Sequence, residues 1–525
     1  MADYNKDTTF KFHIMGNREK PPANGKNCGY LTIDNWNGYS YVTMFDFSLH
    51  DKRGKFHQIG AIKIAFMDQS TEQTTHSTLD KTFEKLPNNY FSLAVDVDFY
   101  QNLRTCFDNE FFLTILSSLC DVALDEELHN RIKEQDVFQT SLMRSVREKT
   151  ILTQYRRVIS GGDALTDYSF KFYREASDRF SEINLYFQVK AASKPSTNIH
   201  AIIGRNGVGK TTFLNHIVES TISGDLEKGY IYDTSNSEKI SLDYFSNTIT
   251  VSFSAFDPFR PPPNQQNPEK GSCYSYIGLK DNKDINSQLY PNEESNKLKA
   301  SIQLENEFIK ALEQCLLDTN RKARWQKSIS TLRSDPNFAD MEFHQIIERD
   351  SKEALIYARE LFKRMSSGHA VVVLILTNLV AKVTEKTLIL LDEPESHLHP
   401  PLLSALIRTL SDLLYERNGV AIIATHSPVV LQEIPKACVW KLTRSHLALE
   451  STRPSLETFG ENVGILTREV FGLEVDKSGF TTLLKKQVDE NKTYQEILDV
   501  FSGQLGFEGR AILQAMIINR DNEKN

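Results

Sequence analysis

The sequence lacks clustered cysteines, long apolar runs and an excess of basic charge. Its six cysteines are scattered over 525 residues without a C-x-x-C pair, which excludes a disulfide scaffold and a thiolate zinc site and favours reduced thiols in a cytoplasmic protein. No apolar run approaches the roughly 18 residues that a membrane helix needs, and the N-terminus has no signal-peptide core, so no membrane association is expected. The net charge of −8 argues against a nucleic-acid-binding protein whose surface is basic throughout.

What the sequence does contain is a complete phosphate-binding loop. "AIIGRNGVGKTTFL" carries the G-x-x-x-x-G-K-[ST] pattern between an apolar strand pattern and a helix pattern, a context that disfavours an accidental Gly-rich turn. Converging backbone N–H groups and the helix N-terminus favour phosphate binding. We expect Lys210 to meet the β- and γ-phosphates of ATP and the Thr211 hydroxyl to hold Mg²⁺. The predicted ATP-binding residues of this loop are Gly204, Asn206, Gly207, Gly209, Lys210, Thr211 and Thr212.

An apolar strand pattern in "KTLILLDEPESHLHPPLL" (386–403) ends in two acidic residues. Such a run is typical of a central strand in a parallel sheet, whose carboxyl end faces the phosphate loop. Asp392 is expected in the Mg²⁺ shell and Glu393 is expected to polarise the attacking water. The alternative is a strand ending in a solvated turn. His397 and His399 could chelate a metal, but no further ligands are close in sequence, so packing is the favoured interpretation.

A third strand pattern, at 420–424, is followed by Thr425-His426-Ser427. A histidine at the carboxyl end of a strand beside the acidic strand can reach a γ-phosphate and sense its loss. An isolated histidine is usually part of hydrogen-bonded structure, but the order of the motifs here favours a functional role. We therefore predict His426 and Glu393 as the catalytic residues of an ATPase.

The segment "RMSSGH" (364–369) separates a charged helix pattern from an apolar one. A serine in front of an apolar helix is a good N-cap, and a capped helix N-terminus can also bind phosphate. The cap and the phosphate site are compatible, and the residues alone leave both open.

In chain order, the phosphate loop, Met-Ser-Ser-Gly-His, Leu-Leu-Asp-Glu-Pro and Thr-His-Ser resemble the ABC-type ATPases, in the soluble SMC-like and OLD-like branch. The resemblance implies an α/β fold: a P-loop ATPase head with a mixed sheet, a helical insertion arm and an α+β N-terminal extension. It also implies a homodimer or higher homo-oligomer in which Ser366, Gly368 and His369 of one protomer complete the ATP site of the other. Transporter ATPases carry a Gln that helps to bind Mg²⁺ where this chain reads "TVSFSAFDPFRPPP", so hydrolysis is expected to be slow.

Further segments resemble the PtuA family, the ATPase subunits of retron-associated Septu anti-phage systems. They are "SFSAFDPF" (252–259), "SYIGLKD" (275–281), "TFGENVGILTREVFGLEV" (458–475) and "FSLAVDVDFYQNL" (91–103). The resemblance implies an HNH nuclease partner (PtuB-like), together with a retron reverse transcriptase and its msDNA. This chain would then regulate a nuclease rather than cut nucleic acid, and it contains neither an H-N-H pattern nor a Toprim-like strand pattern after residue 443.

Motifs and composition together predict five segments. They are an N-terminal α+β extension with a hairpin followed by helices (1–160), a first ATPase lobe with the phosphate loop (161–260), a loop and helical insertion (261–365), a second lobe with the Ser-Gly motif, acidic strand and His426 (366–476), and a helical tail (477–525).

Two other functions are weighed against a defence ATPase. An SMC-like DNA-repair ATPase needs a long coiled coil, whereas the insertion holds no sustained heptad and is interrupted at Asp335-Pro336. An ABC transporter energy subunit would depend on a membrane partner, and the missing Gln and the long N-terminal extension disfavour it.

Overall fold

The computed structural model describes most of the chain. Outside the described residues lie 1–9, 18, 35–40, 145, 163, 177–180, 223–227, 236, 256, 258, 268–271, 283–297, 317–318, 446–447, 472–478 and 525. The end of the 458–475 segment noted above therefore falls outside the description. The described residues form three β-sheets with helices packed around them.

The N-terminal sheet has six strands in the order β5-β1-β2-β3-β4-β6. Its strands are β1 Lys11–Met15, β2 Cys28–Ile33, β3 Met44–His50, β4 Phe56–Phe66, β5 Thr82–Phe83 and β6 Tyr90–Ala94. β3 and β4 pair as an antiparallel hairpin. The Asp51 carboxylate accepts hydrogen bonds from the backbone N–H groups of Arg53 and Lys55, which stabilises the turn between them.

Helices cover this sheet and share its apolar core. They are α1 Val97–Cys106, α2 Asn109–Ser118, α3 Glu126–Ile132, α4 Asp136–Thr140, α5 Glu148–Thr150 and α6 Arg156–Ile159, the last two joined by a π-helical turn at Ile151–Tyr155. The first three helices begin after Asp96, Asp108 and Asp125, whose side chains accept hydrogen bonds from backbone N–H groups of the first turn. These caps explain where the helices start.

A smaller antiparallel sheet follows, in the order β11-β10-β7-β8. Its strands are β7 Tyr168–Arg174, β8 Ile183–Val189, β10 Tyr230–Asp233 and β11 Glu238–Lys239. Alternate side chains of β7 and β8 are buried, as the alternating sequence pattern requires. Phe172 of this sheet contacts Phe213 edge to face, with ring centroids 5.0 Å apart. The small sheet therefore covers the helix that leaves the phosphate loop.

The central sheet has seven strands in the order β13-β12-β14-β15-β9-β16-β17. Its strands are β9 Ile199–Ile203, β12 Thr248–Ser252, β13 Tyr274–Gly278, β14 Leu388–Asp392, β15 Val420–Thr425, β16 Val439–Ser445 and β17 Ala448–Thr452. Every neighbouring pair is parallel except β16 and β17. β14 is buried throughout and lies between β12 and β15. The predicted ATPase head with a mixed sheet is confirmed.

The helices of the head and of the insertion lie around this sheet. They are α7 Lys210–Ile222, α8 Ser301–Leu316, α9 Thr319–Thr331, α10 Pro336–Ala339, α11 His344–Glu348, α12 Ser351–Arg364, α13 Ser367–Lys382, α14 Pro400–Arg417 and α15 Pro428–Leu431. The buried Trp325 indole N–H of α9 donates to the Thr377 hydroxyl of α13 at 3.0 Å. The described part of the insertion is therefore folded onto the head rather than extended as a coiled coil.

The C-terminal region adds α16 Val463–Phe471, α17 Phe480–Asp489, α18 Tyr494–Val500 and α19 Phe507–Lys524. A small core of its own joins the last three helices, through Leu484, Val488, Ile497 and Leu513. Short 3₁₀ turns occur at Thr75–Ser77, Leu142–Arg144, Leu332–Ser334, Pro394–His397 and Lys436–Cys438. None of the helices in the described residues has the length and apolarity to cross a bilayer.

A buried ionic network joins the N-terminal region to the insertion and the head. Arg324 of α9 donates to Asp96 at 2.8 Å and to Asp98 at 2.6 Å, and Arg417 at the end of α14 donates to Asp96 at 2.7 Å. The side chains of Asp96, Arg324 and Arg417 are 12%, 11% and 6% exposed. Three parts of the chain that are far apart in sequence thus share one charged cluster, the Asp96 network.

Candidate nucleotide-binding site

The phosphate loop joins β9 to α7 at the carboxyl edge of the central sheet. Gly204 is required by packing, because a Cβ there would lie 2.6 Å from the Leu442 carbonyl oxygen. Gly209 has a φ of 103°, in the left-handed region that favours glycine, and a Cβ there would meet open space. Asn206 and Gly207 are exposed at the tip, and Thr212 is half-buried in the first turn of α7.

Lys210 lies across this loop with only 5% of its surface exposed. Its ammonium group donates to the Gly204 carbonyl at 3.0 Å and lies 3.9 Å from a Glu393 carboxylate oxygen. Burial lowers the pKa of Lys210, and the carboxylates of Glu393 and Asp392 partly offset that effect. The cation is thus held against the acidic end of β14, as the parallel order of the strands predicts.

Asp392, at the end of β14, is 8% exposed, and the neighbouring Thr211 hydroxyl partly offsets the effect of burial on its pKa. Burial raises its pKa to about 7. Its register partner on β12 is Ser252, and both the Asp392 Oδ1 and the Ser252 Oγ are buried without a hydrogen-bond partner among the described residues. Buried polar atoms are rarely left unpaired, so these two oxygens fit a cation held between Thr211 and Asp392.

Glu393 follows in the left-handed conformation, with φ 44° and ψ 58°. Non-glycine residues rarely adopt this strained conformation, and those that do are often found at functional sites. Its carboxylate lies 3.6 Å from the His426 Nδ1 at the end of β15. The nearby imidazole of His426 lowers the pKa of Glu393, and the Glu393 carboxylate in turn raises the pKa of His426. Glu393 is 31% exposed and can therefore meet both water and a ligand.

Glu395 was not found from the sequence and belongs to this group. Its carboxylate, 10% exposed, accepts hydrogen bonds from the Thr425 hydroxyl at 2.7 Å and from the His426 backbone N–H at 2.8 Å. It also lies 3.3 Å from the His426 Nδ1. Glu395 therefore positions the histidine. The signal available in the sequence is the third acidic residue of Asp-Glu-Pro-Glu.

The Ser-Gly segment forms the exposed N-terminus of α13. Ser366 caps the helix: its Oγ lies 3.4 Å from the His369 backbone N and 2.7 Å from the His369 Nδ1. Gly368 lies against the turn after β14, where a Cβ would be 2.9 Å from the His397 carbonyl oxygen. No hydrogen bond joins Ser366 to the phosphate loop in the described part of this chain. The structure thus brings Lys210, Thr211, Asp392, Glu393 and His426 together and leaves Ser366 outside that group.

A family model described as "AAA domain, putative AbiEii toxin, Type IV TA system" matches residues 231–432, which include β14, α13 and β15 and begin after the phosphate loop. Among curated proteins, the chain is similar to protein ea59 of Escherichia phage lambda. The two are 45% identical over 523 residues, which cover 96% of this chain and 97% of the phage protein.

Among solved structures, the chain is similar to a nucleotide-free ATP-binding cassette from an ABC transporter, with 14% identity and a TM-score of 0.28 over 55% of this chain and 92% of that one. It is also similar to cbiO1 from Clostridium perfringens, part of the ABC transporter complex cbiONQ. That identity is 19% with a TM-score of 0.27, over 53% of this chain and 85% of cbiO1. Likenesses this distant assign neither ligand nor partner.

Proposed function

This chain belongs to the family of the phage lambda protein ea59, and we propose that it is the ATP-dependent regulatory subunit of an anti-phage complex in which a partner HNH nuclease cuts nucleic acid. It is a P-loop ATPase of the ABC type. The observation that carries the proposal is the division of the ATP machinery within one chain. The phosphate loop and the acidic strand lie together, whereas Ser366, which caps α13, is exposed at the surface outside that group.

For ATP hydrolysis, Lys210 would bind the β- and γ-phosphates and Glu393 would accept a proton from the attacking water. Mg²⁺ would be held by Thr211 and Asp392, with Ser252 beside them in place of the missing glutamine, and would offset phosphate charge. His426, held by Glu395 and 3.6 Å from Glu393, would contact the γ-phosphate and respond to its release.

We further propose that the ATP site is completed by a second copy of the chain. Ser366 and Gly368 present a capped helix N-terminus at the surface, a feature that attracts phosphate. A second protomer could therefore bring its Ser366 turn to the γ-phosphate held by the first protomer. ATP would then stabilise a homodimer, and hydrolysis would release it.

The regulatory role is supported by the sequence segments that resemble retron-associated Septu ATPases and by the description of the matching family model as a toxin of a toxin–antitoxin system. The relative ea59 is encoded by a phage, which is consistent with a defence system that a mobile element carries to exclude competing phages. The proposed partners are the HNH nuclease, the reverse transcriptase and its msDNA. An SMC-like role is disfavoured because the described part of the insertion lies against the head.

Replacing Ser366 with Arg is expected to abolish ATP-induced dimerisation while ATP binding stays within about threefold of wild type. The added side chain would block the opposed phosphate, whereas the phosphate loop is untouched. A 100-fold weaker dimer corresponds to about 2.7 kcal/mol. Light scattering with and without ATP measures dimerisation, and a fluorescent ATP analogue measures binding.

Two controls separate this effect from a damaged helix. Ser366→Ala removes the cap, at a cost of about 1 kcal/mol, and the contact with His369 without adding bulk. Ser330→Arg places the same arginine at an exposed position of the insertion. If Ser366→Arg dimerised with ATP as well as Ser330→Arg does, the two-chain site would be wrong.

The proposed partner is tested by searching the genes beside this one for a small HNH protein and co-expressing the two. We expect the two proteins to co-purify and the nuclease to be restrained in the complex. A Lys210→Ala chain, which cannot hold ATP phosphates, should bind the partner but lose control of cutting. Absence of a neighbouring HNH gene, or of any complex with its product, would remove the regulatory role and leave the ATPase assignment intact.

A further inference from the structure

Three potential metal ligands from distant parts of the chain meet beside α13. Asp335 precedes α10 in the insertion, His369 lies in the first turn of α13, and His399 precedes α14. Their ligand atoms all lie within 4.8 Å of one another. The Asp335 Oδ1 is 3.5 Å from the His369 Nε2, and the Asp335 Oδ2 is 3.0 Å from the His399 Nε2. We call this group the Asp335 cluster.

The contacts of the two ring nitrogens of His369 are the informative feature of this cluster. The His369 Nδ1 lies 2.7 Å from the Ser366 Oγ, whereas its Nε2 is buried and has no hydrogen-bond partner among the described residues. His369 as a whole is 6% exposed. If Nδ1 carries the proton and donates it to Ser366, the lone pair of Nε2 faces a carboxylate oxygen at 3.5 Å. Two facing acceptors repel each other unless a cation lies between them.

Of the other two ligands, Asp335 is also held in place and His399 is accessible. The Asp335 Oδ1 accepts the Phe338 backbone N–H at 3.1 Å, and the residue is 3% exposed. His399 is 47% exposed in its side chain and offers an entry path for an ion. His397 does not take part, because its Nε2 lies 2.9 Å from the Phe253 carbonyl oxygen. Ligands fixed by their own packing and hydrogen bonds are what a preorganised site requires.

We propose that Asp335, His369 and His399 bind a divalent first-row transition metal, with Zn²⁺ as the probe of choice. Two imidazoles and one carboxylate are ligands suited to zinc and iron rather than to Mg²⁺ or Ca²⁺. Such a set leaves coordination positions open on the exposed side of His399. The hydrogen bond from His369 to Ser366 is the outer contact that orients a metal-bound imidazole.

This site has a structural consequence for α13. A metal would tie the insertion, through Asp335, to the first turn of α13 and to the start of α14. The metal-bound tautomer of His369 donates to Ser366, so the Ser366 hydroxyl proton remains available for another acceptor. If the proposed two-chain ATP site exists, that acceptor is a phosphate oxygen, but metal binding itself does not depend on it.

The test uses the full-length protein, stripped with a chelator and titrated with Zn²⁺ in excess Mg²⁺, with Co²⁺ absorption as a second readout. We expect about one ion per chain in wild type, with a tetrahedral or five-coordinate Co²⁺ spectrum. His399→Ala and Asp335→Asn should each weaken binding by more than about 100-fold, beyond the 10- to 100-fold loss expected for Ser366→Ala.

The variants are chosen so that folding does not decide the result. His399 is exposed, and Asn caps a helix as well as Asp does, so both proteins should keep the wild-type circular dichroism spectrum. His344→Ala, an exposed histidine of the same insertion, is the matched control and should bind like wild type. No stoichiometric Zn²⁺ or Co²⁺ in wild type, or equal binding by His399→Ala, would reduce the cluster to a hydrogen-bonded triad and overturn the proposal.

Discussion

Glu393→Gln is expected to slow ATP hydrolysis by about 100- to 10,000-fold, the range for losing a general base, while ATP binding persists. Glutamine keeps the shape of the side chain and its position near Lys210, 3.9 Å away, but cannot take a proton from water. The ATP-bound dimer should consequently last longer. Phosphate release in single turnovers measures the chemical step, and filter binding of labelled ATP measures affinity.

Lys210→Ala supplies the opposite pattern, because it should lose ATP binding and hydrolysis together. The comparison is valid even if the wild-type protein hydrolyses ATP slowly, because the single-turnover rates of wild type and variants are measured at the same protein concentration. If Glu393→Gln hydrolysed ATP at the wild-type rate, another group would be the base, and Glu393 would be a partner of Lys210 and His426 only.

Asp96→Ala is expected to lower the free energy of unfolding by about 3–5 kcal/mol, the usual result of breaking a buried ion pair. The change takes the Asp96 carboxylate from Arg324 and Arg417, which are 11% and 6% exposed, and leaves Asp98, 2.6 Å from Arg324 and 3.7 Å from Arg417. Urea titration followed by tryptophan fluorescence measures the loss, and Trp325 lies next to Arg324 in the chain.

The matched control is Asp108→Ala. Asp108 caps α2 as Asp96 caps α1, but its side chain is 65% exposed and bonded to no buried arginine in the described residues. Its loss should lower the free energy of unfolding much less, because only an exposed helix cap is removed. Equal losses in the two variants would mean that the Asp96 network contributes nothing beyond capping.

The strand-end residues were the predictable part of the site. Lys210, Asp392 and His426 each follow an apolar strand pattern, and parallel strands bring their carboxyl ends to one edge. Periodicity and motif order therefore predicted the head and this grouping without any knowledge of contacts. Their chemical roles remain predictions until the variants above are measured.

The missed features depend on contacts between distant segments. Ser252 matters because register places it opposite Asp392, and no pattern within "TVSFSAF" encodes that register. His399 lacked ligands nearby in sequence, yet Asp335 and His369 reach it through the fold of the insertion. The sequence shows that an acidic residue stands at position 395. Its hydrogen bonds to Thr425 and His426, however, depend on the pairing of β14 with β15, which the sequence does not show.

Helix α14 connects the nucleotide-binding site to the Asp96 network. It begins immediately after His399, near the acidic turn, and ends at Arg417 in the Asp96 network. Its 18 residues span about 27 Å as a rigid rod. A tilt of a few degrees at its N-terminus would move its far end by an ångström or more, enough to break charge-assisted hydrogen bonds to Asp96. A conformational change at the nucleotide-binding site would thus be transmitted through α14 to the N-terminal sheet.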